Sequence, residues 1–345
     1  MKKLLLSILT ISLSGLVLAS QCNDLYTSKN YNEALAVCNQ ESGNSLAQLR
    51  LGQMYDFGYG VESNARDAVK WYTLAAKNGE SVAQYNLGIM YSNGQGVKQD
   101  YTQEVYWYQK AADQGNASAQ YNLGNMYYNG RGVKQDYAQA VYWYQKAADQ
   151  GDASAQYNLG NMYYNGRGVK QDYAQAVYWY QKAADQGYSD AQFNLGNMYN
   201  NGQGVKQDYV QAVYWYQKAA DQGNASAQAN LGMCYQQAQG VKQDYAKAKQ
   251  LYLSAAKQNI ANAQYLLGLL AYRDKNYKEA LSWYSKAANQ GDSDAQLNLG
   301  YLYNNGLGVK KNNQTAYQWY QRAADQGNQT AIDNIQTMRN QGLIK

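Results

Sequence analysis

The twelve residues Leu123-Gly124-Asn125-Met126-Tyr127-Tyr128-Asn129-Gly130-Arg131-Gly132-Val133-Lys134 decide how this chain is read, because the same phrase returns along almost its whole length. Its Leu-Gly glycine recurs at Gly52, Gly88, Gly124, Gly160, Gly196, Gly232, Gly268 and Gly300. The first six steps are 36 residues and the last is 32. A fixed period of this size marks a solenoid, in which each unit buries its apolar face only against its neighbours.

Within one unit the periodicity gives two helices. The first covers about Ala117 to Tyr128, with Ala119, Leu123 and Tyr127 on one face. Gly124 inside it costs about 1 kcal/mol relative to Ala, so its recurrence points to close approach of the partner helix. Asn129-Gly130-Arg131-Gly132 ends the first helix, since glycine accepts the left-handed C-cap geometry. Asp136 with Gln139 reads as a capping box opening the second helix. Tyr137, Ala140, Val141, Tyr144, Ala147 and Ala148 then follow helical spacing, and Gly151 closes the unit. All seven tryptophans (71, 107, 143, 179, 215, 283 and 319) fall at one position of this second helix. Each can bury roughly 150–250 Å², which predicts a tryptophan column between stacked units.

The pattern A-x-A-Q-x-N-L-G-x-M-Y-x-N-G-x-G-V-x-x-D-Y-x-x-A-x-x-W-Y-x-K-A-A-x-x-G, as it runs from Ala117 to Gly151, resembles the Sel1-like repeat, a relative of the tetratricopeptide repeat. The resemblance implies an all-α fold, an α/α superhelical solenoid of helix-turn-helix repeats used for protein–protein contact. In bacteria such proteins are often exported adaptors. The expected organisation is a signal peptide at 1–20, an N-terminal capping half-repeat at 21–45, eight repeats at 46–327 and a C-terminal capping helix at 328–345. In that last helix Ala331, Ile332, Ile335 and Met338 form the apolar face.

Composition narrows the function. There is no proline and no histidine, and 38 tyrosines stand against two phenylalanines. Without histidine the commonest general base and metal ligand are missing, so no cofactor or metal is expected. The formal charge is +5; without Lys2 and Lys3 it is +3, from 28 basic and 25 acidic residues. Such mild, scattered charge argues against nucleic acid as a partner. Lys2-Lys3, the apolar run Leu4 to Leu18 and the small residues Ala19 and Ser20 make a secretory leader, cleaved after Ala19 or Ser20. No other stretch is apolar enough to span a membrane, which leaves a periplasmic or secreted mature chain. Cys22 invites a lipid anchor, but Gln21 stands where a lipobox carries a small residue. In an exported chain Cys22 and Cys38 are instead expected to pair, tying two short helices together. Cys234, at the position of Met126 and Met162, reads as a small core residue.

Residues 119–151 and 155–187 are identical at all 33 positions. Copies so alike favour a repetitive surface over a unique pocket. Ala229, Cys234, Ala238, Leu251 and Asn259 depart from the repeat, and curvature is expected to change across 229–275. Glu104 stands where Ala68, Ala140, Ala176 and Ala212 sit, and a buried unpaired carboxylate there would loosen packing.

Transferred from tetratricopeptide repeats, the partner-binding concave face comprises Tyr121, Asn125, Tyr128 and Asn129, then Tyr157, Asn161, Tyr164 and Asn165, then Phe193, Asn197, Asn200 and Asn201. Asn amides donate to and accept from a peptide backbone, and Tyr adds rigid amphipathic area. The same side chains are equally able to bond one another or cap their own helices. Some Sel1-like proteins carry a β-lactamase-type label, and Ser254-Ala255-Ala256-Lys257 fits S-x-x-K. It falls on an ordinary second helix, however, and neither S-D-N nor K-T-G occurs. A non-enzymatic protein- or peptide-binding scaffold is the expected function. An immunity protein that occludes a toxic enzyme and a binder of peptidoglycan or another glycan are the alternatives.

Overall fold

The structure, a computed structural model, describes residues 21–344; the expected signal peptide lies outside them. All regular structure in the described residues is helical, and within each compact unit consecutive antiparallel pairs stack as a solenoid. They form two compact units, one ending at Ala183 and the other beginning at Ala184.

The first unit opens with α1, helical over residues 21–27, and α2 (Tyr31–Gln40). Cys22 on α1 and Cys38 on α2 are fully buried and disulfide-bonded, with Cα atoms 5.0 Å apart. The pairs α3/α4 (Ser45–Phe57, Ala65–Lys77), α5/α6 (Ser81–Asn93, Tyr101–Asp113) and α7/α8 (Ala117–Asn129, Tyr137–Asp149) follow, then α9 (Ala153–Asn165) and all but the last two residues of α10 (Tyr173–Asp185). The second unit holds α11/α12 (Ser189–Asn201, Tyr209–Asp221), α13/α14 (Ala225–Gln237, Tyr245–Lys257), α15/α16 (Ala261–Arg273, Tyr277–Asn289), α17/α18 (Ser293–Asn305, Asn313–Asp325) and α19 (Gln329–Asn340).

The pair α7/α8 shows why this sequence folds so. Asn116 caps α7 by accepting from the Ala119 amide at 2.9 Å, and Gly130 ends it in the left-handed region at φ 68°. Gly132 lies so close to the start of α6 that a Cβ would sit 2.2 Å from the Tyr101 carbonyl oxygen. Asp136 Oδ1 accepts from the amides of Ala138 (2.9 Å) and Gln139 (3.0 Å). The expected capping box is therefore only half made: the Asp136 amide donates to the Tyr127 carbonyl at 2.9 Å instead, so Gln139 has no amide left to accept from.

Ala, Leu, Met and Tyr side chains fill the space between paired helices, and a tryptophan from the next repeat closes several of the repeats, while Leu251 takes that place on the cluster around Tyr216. Trp107 packs on the cluster around Tyr72, Ala83 and Leu87, and Trp143 on that around Tyr108, Ala119 and Leu123. A buried glutamine ties adjacent repeats. Gln120 Nε2 donates to the Ala112 carbonyl at 3.0 Å, and Gln120 Oε1 accepts from Gln150 Nε2 at 2.7 Å. The same arrangement recurs at Gln84 and Gln296.

Three details lay beyond the repeat pattern. Glu104 is buried, but not unpaired: Arg131 from the following loop binds both its oxygens, at 2.8 and 2.7 Å. Ala238 and Asn259 keep the left-handed conformation that glycine holds in sister repeats, at φ 59° and 63°. On α19, Ala331, Ile335 and Met338 are buried while Ile332 is exposed, because 331, 335 and 338 share one face and 332 lies a hundred degrees of helical rotation away from 331. Cys234 is buried as expected.

Candidate functional site

Two adjoining pockets open between first helices of the first unit. One, of about 230 Å³, is lined by Asn125, Tyr128, Asn129, Tyr144, Asn158, Asn161, Met162, Asn165 and Arg167. The other, of about 220 Å³, lies one repeat earlier and shares Asn125 and Asn129 with it. Together they make a groove lined chiefly by asparagine and tyrosine, completed by Ser92, Glu104, Met126, Met162, Arg131 and Arg167.

A bond crosses the helix pair in the three repeats that carry asparagine after the Leu-Gly glycine. The Tyr144 hydroxyl, on α8, donates to Asn125 Oδ1, on α7, at 2.7 Å. Asn158 Nδ2, from the next repeat, reaches the same oxygen at 3.3 Å. Tyr180 and Asn161 repeat the first contact at 2.7 Å, and Tyr216 and Asn197 do so in the second unit, where Asn230 Nδ2 adds a bond to Asn197 Oδ1 at 3.0 Å. Burial pushes the Tyr144 hydroxyl well above its ordinary value of 10.0; Tyr121 adds to the rise and the Asn158 amide opposes it.

Of the twelve expected surface residues, the larger pocket gathers Asn125, Tyr128, Asn129, Asn161 and Asn165. Asn129 and Asn165 also cap their own helices, each Nδ2 donating to the carbonyl four residues back at 2.9 and 2.8 Å. Tyr121, Tyr157 and Phe193 are half-buried against the second helix of their own repeat, 6.0–6.1 Å from Tyr144, Tyr180 and Tyr216. Tyr164 packs on Tyr173 at 5.3 Å. Asn197, Asn200 and Asn201 belong to the second unit, where Asn200 Nδ2 donates to Asn201 Oδ1 at 2.9 Å. There, a third pocket of about 220 Å³ is lined by Leu269, Tyr272, Tyr284, Asn298 and Tyr301. Leu269 and Tyr301 occupy the register of Asn125, so this wall is apolar.

The groove also contains residues that sequence reasoning passed over. Arg131 and Arg167 sit at a loop position that elsewhere carries Tyr59, Gln95, Gln203, Gln239 or Leu307. That variation within an otherwise constant phrase was the available signal. Arg167 donates to the Tyr128 hydroxyl, and its guanidinium lies 5.9 Å from the centre of that ring. The S-x-x-K segment forms no site: the Ser254 hydroxyl donates to the Gln250 carbonyl at 3.2 Å on an exposed helix face.

The Sel1 repeat family matches eight consecutive stretches, 45–80, 81–116, 117–152, 153–188, 189–224, 225–260, 261–292 and 293–328. The chain is similar to the crystal structure of c5321, a protective antigen of uropathogenic Escherichia coli with an SLR fold. Identity is 41%, over 89% of this chain and 67% of that one, with a TM-score of 0.80. It is also similar to a Sel1 repeat protein from Oxalobacter formigenes, at 35% identity over 69% of this chain and 96% of that one, TM-score 0.61. An immunity protein of Pseudomonas aeruginosa, Pa5087, aligns at 25% identity over 61% of this chain and 81% of its own, TM-score 0.40. The curated proteins compared with this chain yield no match.

Proposed function

The chain belongs to the Sel1 repeat family, and from that premise we propose that it is an exported, non-enzymatic scaffold that holds a protein partner in the Asn/Tyr groove. The family fold implies protein–protein contact. The observation that carries the finer reading is the groove itself, whose wall offers amide and phenol groups and a single uncompensated cation. Amides that both donate and accept suit a peptide backbone, and tyrosine supplies contact area at low entropic cost. The Cys22–Cys38 disulfide supports export, because such bonds persist in oxidising compartments. Pairing also commits the sulfur that a lipid anchor at Cys22 would need. Among the described residues no helix is long and apolar enough to cross a membrane.

The test is capture from a cell-envelope extract by the chain from Gln21 onward, run beside the triple variant Asn125→Asp, Asn161→Asp, Asn197→Asp. Each aspartate keeps an acceptor for its tyrosine hydroxyl while removing the amide donor, so helicity should be retained. A stoichiometric protein bound by the natural chain and lost by the variant is the expected result. Equal retention by both chains would remove the groove from the reading. Retention on purified cell-wall sacculi with no protein captured would favour a glycan partner instead.

A further inference from the structure

The two pockets of the first unit are the same site 36 residues apart. Tyr108, Asn122, Asn125, Met126, Asn129 and Arg131 of one become Tyr144, Asn158, Asn161, Met162, Asn165 and Arg167 of the other. Even the hydroxyl contact of the arginine is kept, since Arg131 donates to Ser92 and Arg167 to Tyr128, which stand in the same register. The second has Asn125 and Tyr128 where the first has Ile89 and Ser92, and it lacks one charged group that the first holds. In the first pocket the Glu104 carboxylate occupies the floor, where Arg131 Nη2 donates to both its oxygens at 2.7 and 2.8 Å and Nε to one of them at 3.3 Å. In the second the equivalent residue is Ala140, fully buried and without charge. Among the described residues Arg167 has no ion pair.

The first pocket therefore displays a carboxylate already seated in this ring of side chains, and the second is the same ring left open. We propose that the pocket at Arg167 is a carboxylate site that receives a Glu or Asp side chain from a protein segment lying in the groove. A guanidinium can grip both oxygens of a carboxylate, as Arg131 does within the chain through Nη2 and Nε. At about 230 Å³ the pocket has room for one side chain and not for a folded element. The charge balance agrees: two arginines line the paired pockets against one carboxylate, and Glu104 is already taken by Arg131. Tyr128 holds the unpaired guanidinium in position and gives it an aromatic face. The inference rests on the groove being the partner surface and names the chemistry the partner must bring.

The test titrates the full chain with acetyl-Gly-Glu-Gly-amide and, separately, with acetyl-Gly-Gln-Gly-amide, following the arginine Nε–H signals by NMR. The Glu peptide should saturate one site at Arg167, and the Gln peptide should shift nothing there. Arg167→Gln, which installs the residue found at Gln203, should weaken the Glu peptide roughly tenfold or more, the usual difference for a bond to a charged group. Glu104→Ala should open a second, equivalent site at Arg131. Indistinguishable Glu and Gln peptides, unchanged affinity in Arg167→Gln, or no second site in Glu104→Ala would each overturn the proposal. A captured envelope protein that binds Arg167→Gln as well as the natural chain would defeat this inference and leave the groove reading standing. A Glu peptide seated at Arg167, with the triple Asn variant still holding the captured partner, would remove the groove reading and, with it, the protein segment placed at Arg167.

Discussion

The Tyr144 hydroxyl donates to Asn125 Oδ1 at 2.7 Å, joining the second helix of a repeat to its first directly beneath the groove. The same asparagine is thus part of the wall and part of the support. Replacing it by a residue that cannot accept strands a hydroxyl that is almost entirely buried. Asn125→Leu should cost about 1–3 kcal/mol in urea denaturation. Tyr144→Phe should cost less, because Asn125 Oδ1 keeps its bond from Asn158. In the Tyr144→Phe background the Asn125→Leu penalty should shrink. Additive penalties in that cycle would show that the bond contributes nothing.

Gly124 occupies a helical position where alanine is intrinsically better by about 1 kcal/mol. A Cβ there would stand 2.6 Å from two carbons of the Tyr144 ring, itself buried and held by Asn125. Overpacking of this kind costs about 1–3 kcal/mol, so tertiary contact outweighs propensity. Gly124→Ala should lower the melting temperature; a rise would mean that the ring yields freely.

The Glu104–Arg131 pair should respond asymmetrically to mutation. Glu104 is 3% exposed at its side chain and Arg131 42%. Arg131→Ala strands a buried carboxylate and should cost about 3 kcal/mol or more. Glu104→Ala restores the residue of the sister repeats and leaves a guanidinium that water reaches, so its cost should be under about 1 kcal/mol. Equal losses in the two variants, measured by denaturation, would argue that the pair and not the buried charge sets the energy.

Ala238 holds φ 59° where Gly58, Gly94, Gly130, Gly166, Gly202 and Gly306 end first helices of other repeats. A left-handed non-glycine residue costs about 1–2 kcal/mol. Ala238→Gly should therefore stabilise the chain by about 1 kcal/mol and slow amide exchange in α13 and α14. Unchanged exchange there would mean that the surroundings already compensate.

Burial raises the hydroxyls of Tyr72, Tyr108, Tyr144, Tyr216, Tyr252, Tyr284 and Tyr320 above their ordinary 10.0. The neutral phenol is thus the form the fold favours. Its contribution is complete below pH 10 and is lost as pH climbs from there towards the folded values. Phenolate absorbance should rise in two stages, the second coinciding with loss of helical circular dichroism. A single stage near pH 10 with helices intact would contradict this. Cys234, pushed up to about 11 by burial, should likewise resist alkylation at neutral pH until the chain unfolds.

The sequence by itself determined the repeat, its two helices, the glycine-rich turns and the cysteine pair. These depend on spacing and local backbone chemistry, which a 36-residue period repeats until they are plain. Asn125, Tyr128 and Asn129 could be placed on one face by counting, because helical register is a local property. Tertiary structure alone decided what their atoms do. The bond from Tyr144 crosses between helices, so register could not reveal that the asparagine is both wall and support. Glu104 read as a defect because its partner lies 27 residues onward, in a loop of the following repeat. Whether a buried charge destabilises or organises depends on what the fold brings to it. Here the fold brings an arginine to Glu104, while one repeat later it brings Arg167 to the same place and no carboxylate to meet it.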